Sequence, residues 1–177
     1  VAGNSDMTFN DCTAECGSYF ALTHCVNGWQ EEVADITVTG GDIHTKKECV
    51  LVKSHNMMLD LCDVNISSDK GSLVHTIVND DQCATKVTKD VFGVNVVMTD
   101  MDVKGDLLHE DTTREMWVML NSTQLTGAIQ HANVAFDKGS KWVATADSDV
   151  VFVTDVEPAQ IDAPAGVTIT AKGAEAG

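Results

Sequence analysis

Short alternating strands recur along this chain at intervals too long for hairpins. The segments Met7–Thr13, Ile36–Asp42, Leu59–Asn65, Val96–Asp102, Val118–Gln124 and Val134–Ser140 share one pattern. In each, apolar residues alternate with polar ones, and the run then meets an acid, an amide or a small residue. Taking Phe9, Val38, Leu61, Met98, Leu120 and Phe136 as equivalent gives intervals of 29, 23, 37, 22 and 16 residues. A coil of about 20 residues with loop insertions is what a stacked β-architecture requires. One coil cannot bury its own apolar face, so the next coil must cover its edge and hydrogen-bond to it.

This pattern predicts an all-β fold, a right-handed parallel β-helix of about seven coils occupying residues 1–177 as one domain. The longest interval places a loop insertion near residues 79–92. A β-sandwich also contains many short strands, but it needs tight hairpin turns between them. Asn27-Gly28 alone supplies that dipeptide signal, which favours the helix. Two prolines and no sustained 3.6-residue apolar stripe argue against a helical domain.

Charge narrows the range of partners. With 27 acidic and 11 basic residues the net charge is −16, which repels phosphate backbones and anionic membranes. Nucleic acid is therefore not an expected partner, and no apolar run is long enough for a membrane span. Arg114 is the only arginine, so the usual bidentate clamp for acidic polysaccharides is scarce. The six cysteines, at 12, 16, 25, 49, 62 and 83, lack metal-finger spacing and suit an oxidised, secreted protein. Cys25 and Cys49 are 24 residues apart and Cys62 and Cys83 are 21 apart, near one coil in each case. Disulfides between neighbouring rungs are one expectation; reduced thiols packed as small hydrophobes are the other. The start at Val1, without a signal peptide, reads as a mature product or a fragment.

Three stretches carry a family likeness: Asn121–Ile129, Asn133–Ser148 and Ile161–Thr170. Together they resemble the repeats of extracellular bacterial β-helix proteins, the broad pectin-lyase-like and autotransporter-adhesin class. The resemblance spans roughly residues 35–170. It implies a secreted or cell-surface location and a scaffold role, and it brings no active-site motif with it. The first half departs from it, with cysteines and histidines where such repeats carry Thr, Asn or Asp.

A second register follows each turn. Aligning Leu22, Val52, Val74, Leu108 and Ile129 stacks Thr23, Lys53, His75, His109 and Gln130 in one column. The next column then holds His24, Ser54, Thr76, Glu110 and His131. Rungs about 4.8 Å apart would make Lys53, His75, His109 and Glu110 neighbours. As a catalytic group, one histidine is the base, Glu110 the acid, and Lys53 the stabiliser of developing negative charge. As a metal centre, His75, His109 and Glu110 are the ligands of a divalent ion, calcium or zinc. His24, His55 and Asp111 continue the same strands. Asp80 and Asp81 lie in the long loop, which would overhang the face. An outward polar ladder without function is the competing expectation.

Trp29, Trp117 and Trp142 are candidates for stacking against sugar rings, with Trp29 the best placed because it follows a turn. Trp142 lies inside a repeat and is expected to pack in the core. The expected function is a secreted or cell-surface, adhesin-like module that binds a glycan or a surface protein. The rival is a lyase or hydrolase acting on carbohydrate through the Lys53, His75, His109 and Glu110 group. Open coil ends also allow end-to-end stacking or a homo-oligomer.

Overall fold

A computed structural model describes residues 3–25, 31–80 and 92–173. Among these the regular structure is strand, apart from one short 3₁₀ turn at Pro158–Gln160. The strands are β1 (Ser5–Cys16), β2 (Ala21–His24), β3 (Val33–Thr45), β4 (Val50–Lys53), β5 (Asn56–Cys62) and β6 (Asn65–Ser68). They continue with β7 (Ser72–Ile77), β8 (Val94–Thr99), β9 (Asp102–Lys104), β10 (Asp106–His109), β11 (Met116–Asn121) and β12 (Gln124–Thr126). The last are β13 (Ile129–Phe136), β14 (Lys141–Val143), β15 (Ser148–Phe152), β16 (Ile161–Asp162) and β17 (Ile169–Gly173).

Every pairing between them is parallel, which is compatible with a parallel β-solenoid. One sheet runs in the order β1-β3-β5-β8-β11-β13-β10-β7-β4-β2, and a smaller one in the order β16-β14-β12-β9. The long sheet turns back on itself through β13. Trp117–Leu120 of β11 pair with Asn133–Phe136, while Leu107 and Leu108 of β10 pair with Ile129 and Gln130. Between the two halves of β13 stands His131, with φ at +55°. This kink lets one strand serve two faces.

The first register expected from the sequence is the observed one. Phe9 pairs with Val38, Val38 with Leu61, Leu61 with Met98, Met98 with Leu120, and Leu120 with Phe136. Two residues beyond these positions stand Asp11, Gly40, Asp63, Asp100 and Ser122, all with φ between +48° and +65°. That left-handed conformation turns the chain from one sheet face to the next. Gly adopts it at no steric cost, and Asp tolerates it because its short side chain hydrogen-bonds locally. The acid and glycine punctuation of the repeats is therefore a corner device.

Alternation then sorts the side chains. Ile36, Val38, Leu59, Leu61, Val96, Met98, Val118 and Leu120 point inward and are buried. Trp142 of β14 is wholly buried between its register partners Leu125 and Ile161, with its indole N–H donating to Gly127 O at 2.8 Å. Each such large apolar side chain contributes about 1.5–3 kcal/mol by leaving water.

The cysteine pairing is corrected by the same register. No disulfide joins the described cysteines, and Cys83 lies outside the described residues. Ala21 pairs with Val50, so Cys25 follows the end of β2 whereas Cys49 precedes the start of β4. They sit at opposite ends of adjacent strands, and matching intervals in sequence did not mean matching positions on a rung. Cys49 is a buried thiol that donates to Ser67 O at 3.4 Å, and burial pushes its pKa up to about 11. Trp29 and Asp81, and most of the long insertion, also lie outside the described residues.

Candidate functional site

The second register differs from the expected one. Leu22 pairs with Leu51, Leu51 with His75, His75 with Leu108, and Leu108 with Gln130. The expected alignment placed Val52 beside Leu22 and Leu108 beside Val74, each one residue out of step, and Val74 beside Val52, two out of step. A slip of one residue moves a side chain to the opposite face of a strand. Lys53, His75 and His109 consequently do not form a column.

Lys53 stands beside His24 on one side and Ile77 on the other. His75 is half-buried and lies between two carboxylates, 3.6 Å from Glu48 and 3.4 Å from Glu110. His109 points inward and is 7% exposed. Its Nε2 lies 2.9 Å from the Arg114 carbonyl, which can only accept, so that nitrogen carries the proton. Its Nδ1 then accepts from the Thr76 hydroxyl at 2.5 Å. Burial holds His109 below the ordinary histidine pKa, and both ring nitrogens are committed to the fold. His75 and His109 therefore fall on opposite sides of their sheet, and no group of three or more His, Cys, Asp or Glu side chains among the described residues is placed to hold a metal. Asp80 is exposed at the edge of the long insertion.

A buried polar network lies in the segments that link β10 to β11 and β4 to β5. Arg114 is 5% exposed, and its Nε donates to Asn56 Oδ1 at 3.1 Å while Nη1 donates to Thr113 Oγ1 at 2.9 Å. Asp111 is 1% exposed, and its Oδ1 accepts from the amide and hydroxyl of Thr113 at 2.8 and 2.5 Å. Asn79 Nδ2 donates to Cys25 O at 2.8 Å, and Asn79 N to Ser54 Oγ at 2.8 Å. His55 is buried at 1% exposure, with neither ring nitrogen hydrogen-bonded among the described residues. Burial first, and then the Arg114 charge, lower its pKa to about 4.

Beside this network a cavity of about 460 Å³ opens on the surface. Its wall includes Glu110, Asp111, Arg114, Glu115, His131 and Asn133. Asn133 connects it to the outer face of β11. There Trp117 is 40% exposed, and the register places Asn95 on one side of it and Asn133 on the other. Met119, 46% exposed, is two residues along the same strand, with Val97 and Ala135 beside it. Phe92, 45% exposed, precedes β8, and its carbonyl accepts from Asn95 Nδ2 at 3.2 Å.

The sequence reading named Trp117 and Asp111 but missed Asn95, Glu115 and Asn133. Their signal was available: Asn95 and Asn133 lie one rung from Trp117 in the first register, and Glu115 immediately precedes its strand. No family model, no curated protein and no solved structure matches this chain.

Proposed function

We propose that the chain is a right-handed parallel β-helix whose outer face binds a glycan, acting as a secreted or cell-surface recognition module. The observation that carries this reading is the exposed Trp117 flanked on adjacent rungs by two asparagines. The C–H face of a pyranose is apolar and weakly positive, and it complements the negative face of an indole ring. Asn95 and Asn133 offer amide donors and acceptors beside the ring, at the rung spacing of about 4.8 Å. Hydroxyls at the rim of a stacked sugar lie within reach of such groups.

A sheet suits this role because its backbone is held by rungs on both sides, so little ordering entropy is lost on binding. The net charge of −16 disfavours polyanionic glycans and leaves neutral or cationic ones. Binding is favoured over turnover by the orientation of the residues first considered for catalysis. Lys53, His75 and His109 do not face one cleft, and both His109 nitrogens are occupied within the fold.

Tryptophan fluorescence and calorimetric titration with a panel of oligosaccharides test the reading. Saturable binding that disappears in Trp117→Ala is the expected result. A folded wild-type chain that binds no sugar on the panel, or a Trp117→Ala variant with unchanged affinity, overturns it.

A further inference from the structure

We infer that the glycan runs along β11, over both Trp117 and Met119, and that it is a neutral β-1,4-linked ribbon of all-equatorial sugar rings. The inference rests on the glycan reading above and names the class of ligand that the same face accepts. Trp117 and Met119 occupy successive outward positions of β11, two residues and so about 6.6 Å apart along the strand. They are 40% and 46% exposed. A single apolar side chain left in water is ordinary, but two in succession on one flat face make a contact surface.

The register fixes the direction of the chain that lies there. Across the rungs Trp117 is bounded on both sides by an amide, Asn95 and Asn133, and Met119 by the shorter Val97 and Ala135. The apolar surface is therefore a ridge one rung wide. It follows β11 and ends at Asn121, whose Nδ2 donates to Thr99 Oγ1 at 3.4 Å. An oligomer laid across the rungs would put one ring on Trp117 and its neighbours on amides. Laid along the strand, it puts successive rings on Trp117 and Met119. The same four neighbours set the charge: Asn95, Val97, Asn133 and Ala135 are all uncharged, on a chain whose net charge is −16. A charged sugar finds no counter-charge among them, and a neutral one needs none.

The shape of the ridge selects the ring. A sugar ring whose substituents are all equatorial carries only C–H bonds on its two faces and its hydroxyls at the rim. Seated on Trp117, its face covers the indole while its rim hydroxyls reach sideways to the amides of Asn95 and Asn133. An axial hydroxyl would instead stand on the face and be pressed against Trp117 or Met119 without a partner, which costs free energy. The β-1,4 linkage keeps consecutive rings in one flat ribbon, and the half-turn between them only exchanges one apolar face for the other. An α-1,4 chain coils, so seating one ring on Trp117 lifts the next away from Met119.

The test is calorimetric titration of the intact chain with three neutral tetramers: β-1,4-linked glucose, α-1,4-linked glucose and β-1,4-linked mannose. The second changes only the linkage and the third sets the 2-hydroxyl of each ring axial. The β-1,4 glucose tetramer is expected to bind at least about tenfold tighter than either of the others. Met119→Ser, at an exposed position, is expected to shrink that preference to about threefold or less, and Met119→Leu to keep it. Equal binding of the three tetramers, lost together in Trp117→Ala, overturns this inference and leaves the glycan reading standing. A preference unchanged in Met119→Ser overturns it as well, since one ring on Trp117 would then suffice. Absence of binding by these tetramers and by every sugar of the wider panel overturns both readings.

Discussion

Acidification acts on this fold through His55 before it acts on the carboxylates. The ring is 1% exposed, neither nitrogen has a hydrogen bond among the described residues, and Arg114 adds positive charge nearby. Its pKa in the folded chain is therefore lowered from 6.5 to about 4. Above pH 6.5 the ring is neutral in both states and the linkage contributes nothing. As pH falls, the unfolded chain takes up the proton first, so stability is lost between the two pKa values and the loss levels off below the lower one. At about 1.4 kcal/mol per pKa unit the full shift corresponds to about 3 kcal/mol, of which about 2 kcal/mol is lost by about pH 5.

His55→Leu isolates this effect because it removes the titrating group and keeps a similar volume. Urea unfolding at about pH 7.5 and about pH 5 is the assay, with the pH-dependent loss compared between the two proteins. The wild type is expected to lose about 2 kcal/mol more than the variant over that range. At the higher pH the variant is expected to be the more stable by about 1–2 kcal/mol, since an unpaired buried polar group has been replaced by an apolar one. Equal pH dependence in the two proteins would refute the assignment, because His109 and the carboxylates remain in both.

Other perturbations separate scaffold from surface. Gly127→Ala places a Cβ 2.1 Å from Gly105 O, a contact between backbones of adjacent coils that only a shift of the rung relieves. Urea unfolding should show a loss of about 2–3 kcal/mol. Trp142→Ala empties a wholly buried site and leaves Gly127 O without its donor, so calorimetry should record a loss of about 3–5 kcal/mol. Trp117→Ala, on the outer face, should change unfolding stability by less than about 0.5 kcal/mol while abolishing sugar binding. Thr76→Val removes the hydroxyl that donates to His109 Nδ1 and should cost about 1–3 kcal/mol by the same unfolding assay.

The contrast between the two registers shows how far a repeat can be read. In the first, the strands carry two or three large inward residues, and five of the six are followed two positions on by an acid, glycine or serine with positive φ, so Phe9, Val38, Leu61, Met98, Leu120 and Phe136 align without ambiguity. In the second, apolar residues occupy both faces. Leu51 and Leu108 point outward beside His75, while Val52 and Thr76 share the inward column with His109. Alternation gives no unique phase to such strands, and the expected Lys53, His75 and His109 column followed from choosing the wrong one. The Cys25–Cys49 pairing failed for a related reason. Its interval of 24 residues is close to the repeat, but β2 and β4 pair at an offset of 29 residues, so the two cysteines fall out of phase.

Parallel pairing, the repeat near 20 residues, the inward column on the first face and the corner residues are all determined by local chemistry. Side-chain alternation and left-handed φ act within a few residues, and they leave a trace in the sequence. The platform at Trp117 and the cavity wall depend on which rung sits beside which, across separations of 16 to 37 residues. Asn95 and Asn133 flank Trp117 only because β8 and β13 pair with β11, and Asp111 is buried only because the curled sheet brings Arg114 and Asn56 beside it. Loop lengths set those phases. Only the folded stack converts them into distances, which is why the scaffold was legible in the sequence and the site was decided by the tertiary structure.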